Sequence, residues 1–234
     1  MTASGSSDPQ SGVAGHTFPA AAAGWSISGS GNARTYSHSG SPTDPSEPND
    51  VRATNGVGLN SNNVSFTVSP DSTAPGVMTP TVTASYYTSL SIPVSLNSGS
   101  DSGSGLAAGS SVVERDEAPL DNGDGSCDAF PGSWATVTLS GGNDTSVVSG
   151  KCYRYRELLS DNVGNQGSSG ASNMAKVDTS APSDPSLSYG SFTSAAVNGG
   201  VVWYRPSAAN GQFQVTTIST DAQILRKASA FAGS

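Results

Sequence analysis

The sequence contains few charged residues, few hydrophobic residues and very little cysteine or histidine. Charged residues make up 12% and hydrophobic residues 34% of the 234 positions, both below the usual share of a globular domain. Such a chain is either a disordered polar linker or a set of short strands joined by many turns. The net charge of −8 is too small for strongly charged disorder, and Val, Thr, Tyr and Ile recur in short runs. We therefore predict a β-rich protein.

Basic residues and long apolar runs are also scarce, which argues against two kinds of partner. Only 10 Lys and Arg accompany 18 Asp and Glu, and no stretch gathers the basic residues, so we expect no nucleic-acid partner. The longest apolar run near the start is Ala20 to Ala23, far below the roughly 20 residues of a membrane-spanning helix. We expect no membrane insertion. If the protein is exported, its signal and any anchor lie outside this sequence.

Residues and motifs typical of catalysis are missing. The two histidines, His16 and His38, lie in polar stretches without a nearby carboxylate. We find no Gly-x-Ser-x-Gly, HExxH or phosphate-loop motif. The expectation is a protein that is not an enzyme and that has no catalytic or cofactor-binding residues.

The two cysteines, Cys127 and Cys152, are not arranged as a CxxC motif, and no histidine lies near them. A zinc site therefore has little support. The pair fits an intradomain disulfide, and closing a loop of roughly 25 residues would stabilise the fold by about 3 kcal/mol in the chain-entropy model. The alternative is two free buried thiols, because a cytosolic chain would keep them reduced.

An internal repeat organises the sequence. Residues 50–60 align with residues 156–166 at a shift of 106, and both segments contain an Asn/Asp-x-Val-Gly turn, which begins at Asn55 and at Asp161. A second match, between Ser-Thr-Ala-Pro75 and Thr-Ser-Ala-Pro182, has a shift of 107. Upstream, Asp8 and Asp101 open matching blocks at a shift of 93. The later copy therefore carries about 13 extra residues, which we assign to the cysteine-bearing loop.

The matches divide the chain into parts of one kind of repeat. The proline-containing boundaries suit interdomain linkers, since proline cannot donate a hydrogen bond to a strand. The tail at 224–234 does not match the repeat. Three explanations of it stay open: a reading-frame artefact, a vector scar or a disordered segment. The predicted segments are the C-terminal part of a repeat at 1–71, a complete repeat at 72–179, the N-terminal part of a further repeat at 180–223, and an atypical tail at 224–234.

The two partial repeats together approach the length of the complete one. Each could therefore complete the other, either within one chain or by strand donation from chain to chain in head-to-tail filaments. The alternative is that the two end pieces are simply frayed.

Alternation of apolar and polar residues predicts short strands in the complete repeat. In the strand that contains Tyr153 and Tyr155, we expect the tyrosines to point inward and Arg154 and Arg156 to point outward. Strands at this spacing over about 100 residues predict an antiparallel β-sandwich. The candidate strands are Thr81–Ser85, Leu90–Leu96, Val112–Arg115, Trp134–Leu139, Tyr153–Leu158 and Met174–Val177.

The order of motifs in this repeat resembles a known family. It runs from Asp-x-x-Ser-Gly-Leu106 through a Cys, a Trp-x-x-Val strand and Cys152-Tyr-Arg-Tyr-Arg to Ser-Asp-Asn-Val-Gly-Asn165 and Val-Asp-Thr-Ser-Ala-Pro182. Over residues 1 to about 223, this order is similar to the bacterial Ig-like repeats of very long secreted surface proteins.

The resemblance implies an all-β fold of Ig-like antiparallel β-sandwich repeats, one complete and two partial. It also implies an extracellular location on a bacterial cell surface and a spacer or adhesive role. The expected partners are neighbouring repeats or copies of the same chain. Because the first copy lacks both cysteines, a disulfide is not general to the array.

The loop at residues 121–128 is a candidate calcium site. The loop resembles the opening of an EF-hand, but Gly132 stands where the twelfth-position glutamate would be. A solvated Asn-Gly turn explains the same residues. The candidate ligands are Asp121, Asp124 and Asp128, with further oxygens from Asn122 and Ser126.

A second candidate cation site, suggested by resemblance to calcium-stiffened adhesive repeats, would use Asp71 or Asp178 with Asp101 or Asp161. The alternative is that the Asp161 carboxylate caps the backbone amides of its own turn. We favour the turn.

The three tryptophans, Trp25, Trp134 and Trp203, keep an alternative function open. Their rings could stack on sugars, which would make the chain a carbohydrate- or protein-binding β-sandwich module that recognises a glycan or a host cell-surface protein. One Trp per repeat on a strand is more typical of a core, so we predict core positions for Trp25 and Trp134. A row of exposed aromatic residues would favour the binding module.

Overall fold

The protein is all-β. The computed structural model describes residues 1–121 and 124–220, and these residues contain no helix and form 17 strands. The chain divides into two compact units, Met1–Ser72 and a second that begins at Thr73.

The first unit consists of a three-stranded antiparallel sheet and a separate hairpin. The sheet has the order β1-β4-β5, and the hairpin joins β2 and β3. Within residues 1–72, Asn49 is the one buried residue, and no apolar side chain is buried. This unit therefore has no filled hydrophobic core. Its strands are β1 (Val13–Thr17), β2 (Trp25–Ser28), β3 (Thr35–His38), β4 (Asn49–Asn55) and β5 (Val64–Phe66).

The first part of the second unit contains a six-stranded sheet and a two-stranded sheet. The large sheet has the order β6-β13-β11-β8-β9, with β12 also paired to β11, and the small sheet joins β7 and β10. All of these pairs are antiparallel except β6 with β13, which is parallel. The strands are β6 (Tyr86–Tyr87), β7 (Ile92–Pro93), β8 (Val112–Pro119), β9 (Ala135–Val137), β10 (Asn143–Asp144), β11 (Lys151–Ser160), β12 (Gln166–Ser168) and β13 (Ala175–Val177).

The hydrophobic core of the described chain lies within residues 82–177. Tyr153 and Tyr155 of β11 are fully buried at its centre, which confirms the prediction that they point inward. Ile92 of β7 packs in the same cluster, so the core joins the small sheet to the large one. The buried cluster comprises Val82, Ile92, Val94, Val113, Val147, Tyr153, Tyr155, Ala175 and Val177.

Five of the six predicted strand segments contain a strand. Thr81–Ser85 does not, because its pairing is limited to one bridge between Thr81 and Ser95. Val82 is nevertheless 2% exposed and belongs to the core. The alternation thus identified an inward-facing residue correctly, while the segment lacks the continuous neighbour that a strand requires.

The last described part of the chain forms two pairs of strands, β14 with β17 and β15 with β16. Residues 180–220 contain no buried residue, so these strands have no core of their own. The predicted tail, 224–234, lies outside the described residues. The strands are β14 (Ser186–Thr193), β15 (Ala195–Asn198), β16 (Val201–Tyr204) and β17 (Gln212–Ile218).

Candidate functional site

The two copies of the Asn/Asp-x-Val-Gly motif form the same turn. Oδ1 of Asn55 accepts hydrogen bonds from the backbone N–H groups of Val57 and Leu59, at 3.2 and 2.8 Å. Oδ1 of Asp161 accepts from Val163, Gly164 and Asn165, at 3.0, 2.7 and 2.8 Å. The glycine of each turn, Gly58 or Gly164, has a positive φ of 86° or 98°, which glycine adopts without strain. The Asx-turn interpretation of Asp161 is confirmed.

The upstream aspartates also repeat one role. Asp8 accepts hydrogen bonds from the backbone of Gln10 and Ser11, and Asp101 accepts from the backbone of Gly103 and Gly105. The backbone bond from Ser11, followed by the Asn55 amide, lowers the pKa of Asp8 to about 2. Each aspartate therefore serves as an acceptor for its own loop.

Each upstream aspartate also approaches the turn residue of its own copy. Nδ2 of Asn55 donates to Oδ2 of Asp8 at 3.2 Å, whereas Asp101 and Asp161 bring carboxylate oxygens within 4.8 Å of each other. Of the other residues named for the second cation site, Asp178 accepts a hydrogen bond from the Ser180 backbone, and Asp71 belongs to the first unit. Cation binding by Asp71 or Asp178 together with Asp101 or Asp161 stays a prediction.

A buried polar network crosses the core at Asp144, whose side chain is fully buried. Its carboxylate accepts hydrogen bonds from Arg115 at 2.9 Å, from the Tyr155 hydroxyl at 3.0 Å and from the Ser146 hydroxyl at 2.6 Å. Burial alone would raise the pKa of Asp144, but these bonds outweigh it and hold the pKa below its usual value. Burial and the neighbouring Asp144 charge raise the pKa of Tyr155 far above its ordinary value. The network links β8, β10 and β11.

Cys127 and Cys152 form a disulfide, with their Cα atoms 5.9 Å apart, and the prediction is confirmed. Cys152 is fully buried on β11. The bond holds the loop that follows β8 against the outer face of the large sheet, where Leu120 also forms a bridge with Cys127.

Beyond the disulfide, the same loop lies over two arginines of β11. The Arg154 guanidinium stacks on Phe130 at 4.5 Å and on Trp134 at 5.2 Å, and Arg156 lies over Trp134 at 4.6 Å. Each arginine is also paired with a carboxylate of β8, Asp116 at 2.7 Å or Glu114 at 2.6 Å. These contacts neutralise the arginines and fasten the loop, so the cluster is structural and does not offer free positive charge to a ligand.

Two buried carboxylates retain an oxygen without a hydrogen-bond partner among the described residues. They are Oδ1 of Asp116 and Oε2 of Glu157. The other oxygen of Asp116 accepts from Arg154 and from the Gly132 backbone, and Oε1 of Glu157 accepts from Ser111. Sequence analysis missed both residues, because a charged residue on a strand is usually solvent-exposed.

The predicted calcium loop is anchored by its own hydrogen bonds. The backbone N–H of Asp121 donates to Ser126, and that of Asp128 donates to Pro119. Asp124 accepts from the Ser126 backbone at 2.8 Å, and its bonds with Ser126 lower its pKa. Asn122 lies outside the described residues. These hydrogen bonds close the loop into a turn. Calcium binding at Asp121, Asp124 and Asp128 stays a prediction.

None of the tryptophans lies in the core, so the core prediction for Trp25 and Trp134 is wrong. Trp134 is half-buried on the outer face of the large sheet. Trp25 is half-buried in the first unit, where its Nε1–H donates to the Thr43 carbonyl at 2.9 Å. Trp203 is 62% exposed. The stacked arginines, Arg154 and Arg156, explain the position of Trp134, and the sequence pattern does not predict this contact.

The exposed aromatic residues of β16 do not form a row. Trp203 pairs across the hairpin with Ala196, and its neighbour Tyr204 pairs with Ala195, so their side chains point to opposite faces. The two exposed aromatic residues of β16 therefore do not lie on one face. Both histidines contact a neighbouring side chain: Nε2 of His16 shares a hydrogen bond with the Ser6 hydroxyl, and His38 lies edge-on to Trp25.

No protein-family model matches the chain, and no curated protein matches it either. In the described part of the chain, no helix has the length and apolar character needed to cross a bilayer.

Proposed function

We propose that the chain is a non-catalytic structural region of an extracellular bacterial surface protein, built from Ig-like β-sandwich repeats that space or support an adhesive part. The disulfide supports an oxidising compartment, because such bonds persist mainly outside the cytosol. The repeated Asn55 and Asp161 turns support an array of related units. The observation that carries the proposal is the pairing of the first and last strands of the complete repeat.

These two strands run side by side in the same direction. Tyr86 and Tyr87 of β6 face Lys176 and Val177 of β13 in a parallel register. Two backbone hydrogen bonds close the pair, from Lys176 to Ser85 and from Asp178 to Tyr87, both at 3.0 Å. The pairing joins the first strand of the repeat to the last.

Parallel pairing of terminal strands resists pulling. A force that draws the start of β6 and the end of β13 apart acts along both strands, so it must break their hydrogen bonds together. An antiparallel pair pulled from its open end would instead separate one bond at a time. A domain that transmits tension along a chain of repeats needs the first arrangement, whereas a binding module has no such requirement.

Single-molecule pulling of the full chain tests the proposal. Asp178→Pro removes one of the two terminal hydrogen bonds and leaves the core intact, so we expect a marked fall in unfolding force. Its equilibrium stability should change by only about 1 kcal/mol. The matched control is Thr136→Pro in the edge strand β9, which lies outside the β6–β13 pair and should leave the force unchanged. Equal forces for the two variants would contradict a mechanical role.

A further inference from the structure

Three neighbouring strands each contribute one residue to a row on the outer face of the large sheet. Cys152 of β11 pairs with Lys176 of β13, and Lys176 pairs with Tyr86 of β6. Residues that pair across adjacent strands point to the same face. The opposite face carries the core, since Ala175 and Val177 on either side of Lys176 are fully buried. The row therefore crosses the parallel β6–β13 pair and continues onto β11.

The disulfide-bonded loop that follows β8 contacts all three residues of this row. Cys127 of the loop is bonded to Cys152. Nearby in the same loop, the carbonyl oxygen of Gly125 accepts hydrogen bonds from Lys176 Nζ at 2.7 Å and from the Tyr86 hydroxyl at 2.9 Å. One carbonyl thus joins the two strands of the parallel pair, and the disulfide fixes the same loop to β11.

The Gly125 carbonyl is held in position by the loop itself. Gly125 is buried, and its N–H donates to the Asp121 carbonyl at 3.1 Å, while the Asp121 N–H donates to the Ser126 carbonyl at 2.8 Å. Charge also draws the loop towards β13. Hydrogen bonds with Ser126 lower the pKa of Asp124, and the positive charge of Lys176 adds to this effect.

These side-chain contacts are a large part of what joins β6 to β13. The backbone contributes two hydrogen bonds, from Lys176 to Ser85 and from Asp178 to Tyr87. The Lys176 ammonium also lies over the Tyr86 ring, 5.1 Å from its centre. A hydrogen bond from a charged donor is stronger than one between neutral groups. Loss of the loop contacts should therefore weaken this pair more than the rest of the sheet.

We propose that the disulfide-bonded loop is a redox-controlled clamp on the β6–β13 pair. While the Cys127–Cys152 bond is intact, the loop holds the Gly125 carbonyl against Lys176 and Tyr86. Once the bond is reduced, the loop loses its covalent attachment to β11, and the carbonyl separates from both strands. The inference rests on the proposed function in one respect, namely that opening of this pair sets the force at which the repeat unfolds.

The reductant that this step requires is a dithiol. Cys127 is half-buried and Cys152 is fully buried, so a thiolate of the dithiol attacks Sγ of Cys127 and Cys152 leaves as a thiolate. The second thiol of the reductant then displaces Cys127. Two electrons and two protons pass to the protein, which ends with two thiols, and the reductant ends as its own disulfide.

Amide hydrogen exchange, followed residue by residue by NMR on the full chain, tests the clamp. The amides of Lys176 and Asp178 donate to β6, so their exchange reports opening of the β6–β13 pair. The Ser172 amide donates to the Tyr155 carbonyl at 2.8 Å and reports the rest of the sheet. A dithiol should accelerate the first two amides about tenfold more than Ser172, which corresponds to the loss of one hydrogen bond from a charged donor.

Two variants test the clamp with the disulfide in place. Tyr86→Phe and Lys176→Met each remove one donor to the loop carbonyl and should accelerate exchange of the Asp178 amide in the oxidised chain. Reduction should then add less than it adds in the parent chain. The matched control is Tyr87→Phe, because the Tyr87 hydroxyl donates to the Thr83 carbonyl and not to the loop. This control should exchange like the parent chain.

Equal acceleration of all three amides on reduction would overturn the proposal, because the disulfide would then act only through the stability of the whole unit. Exchange of the Asp178 amide that is the same in Tyr86→Phe and Tyr87→Phe would overturn it as well.

The pulling experiment separates this proposal from the proposed function. The reduced parent chain should unfold at a lower force than the oxidised chain. A lower force for Asp178→Pro, with no selective effect of reduction on exchange, would support the mechanical role and reject the clamp. Selective exchange together with equal forces for Asp178→Pro and Thr136→Pro would support the clamp and reject the mechanical role.

Discussion

Asn55 and Asp161 accept the backbone hydrogen bonds of equivalent turns through the same atom, Oδ1, but their contacts with the upstream aspartate, Asp8 or Asp101, differ. Asn55 donates a hydrogen bond to Asp8, whereas Asp161 places a second carboxylate beside Asp101. An amide and a carboxylate thus serve equally well as the acceptor of the turn. Only the carboxylate adds a like-charge contact.

We expect Asp161→Asn to preserve the turn, because the amide oxygen accepts the same backbone bonds as it does in Asn55. The variant loses the bond from the Asn165 amide but relieves the repulsion from Asp101. Its Tm should therefore fall less than that of Asp161→Ala, which loses every bond. The reciprocal change, Asn55→Asp, should lower Tm at pH 7 by setting a carboxylate against Asp8. Equal losses for Asp161→Asn and Asp161→Ala would contradict this account.

Stability should depend on pH through Asp144. Its folded-state pKa lies below the usual value because hydrogen bonds from Ser146, Arg115 and Tyr155 outweigh its burial. A carboxylate of this kind stabilises the fold above its unfolded pKa of about 3.9 and loses that contribution as the pH falls through the folded value. We expect the free energy of unfolding to decrease below about pH 4.

Asp144→Asn tests the assignment. The variant should lose about 3 kcal/mol at pH 7, because it leaves the Arg115 guanidinium without its buried partner. The free energy of unfolding, measured by urea titration at pH 7 and at pH 3, should also fall less between these two pH values than it does for the parent chain. If the free energy of unfolding fell by the same amount in the variant and in the parent chain, other carboxylates would be responsible for the pH dependence.

The sequence correctly predicts those parts of the fold that are determined by residues close together in the chain. Alternation along β11 places Tyr153 and Tyr155 inward and the arginines outward, because successive side chains of a strand point to opposite faces. The same pattern locates β8 and β13. The disulfide is predictable because the two cysteines have no other partner.

The errors arise where distant segments meet. Trp134 follows an alternating pattern typical of a core residue, yet it packs outside the sheet because Arg154 and Arg156 offer it a flat cationic surface. Asp116 is on the same outer face and is buried because the disulfide-bonded loop, which includes Phe130, covers it. Neither contact has a signature within a short window of sequence.

Removal of the disulfide should destabilise the second unit. Cys127→Ala combined with Cys152→Ala should lower the free energy of unfolding by about 3 kcal/mol, since the unfolded chain loses its cross-link. Denaturant titration of the parent chain with and without reductant measures the same difference. The double variant serves as the control, because its midpoint should not respond to reductant.

Trp134→Ala should cost about 2 kcal/mol, from two cation–π contacts of about 0.5–1 kcal/mol each together with lost packing. Trp203→Ala is the matched control. Its side chain is 62% exposed, so the change should stay within about 0.5 kcal/mol. Similar losses for both variants in urea titrations would show that the arginine stack does not contribute to stability.

The disulfide also determines which segment of the chain can accept an insertion. Because Cys127 is bonded to Cys152, the covalent path from β8 to β11 runs through the two sulfur atoms and bypasses residues 128–151. The exposed Gly141 and Gly142, both with positive φ, form a turn within that bypassed segment. A foreign peptide grafted between these two glycines would be displayed on the surface without lengthening the covalent route from β8 to β11.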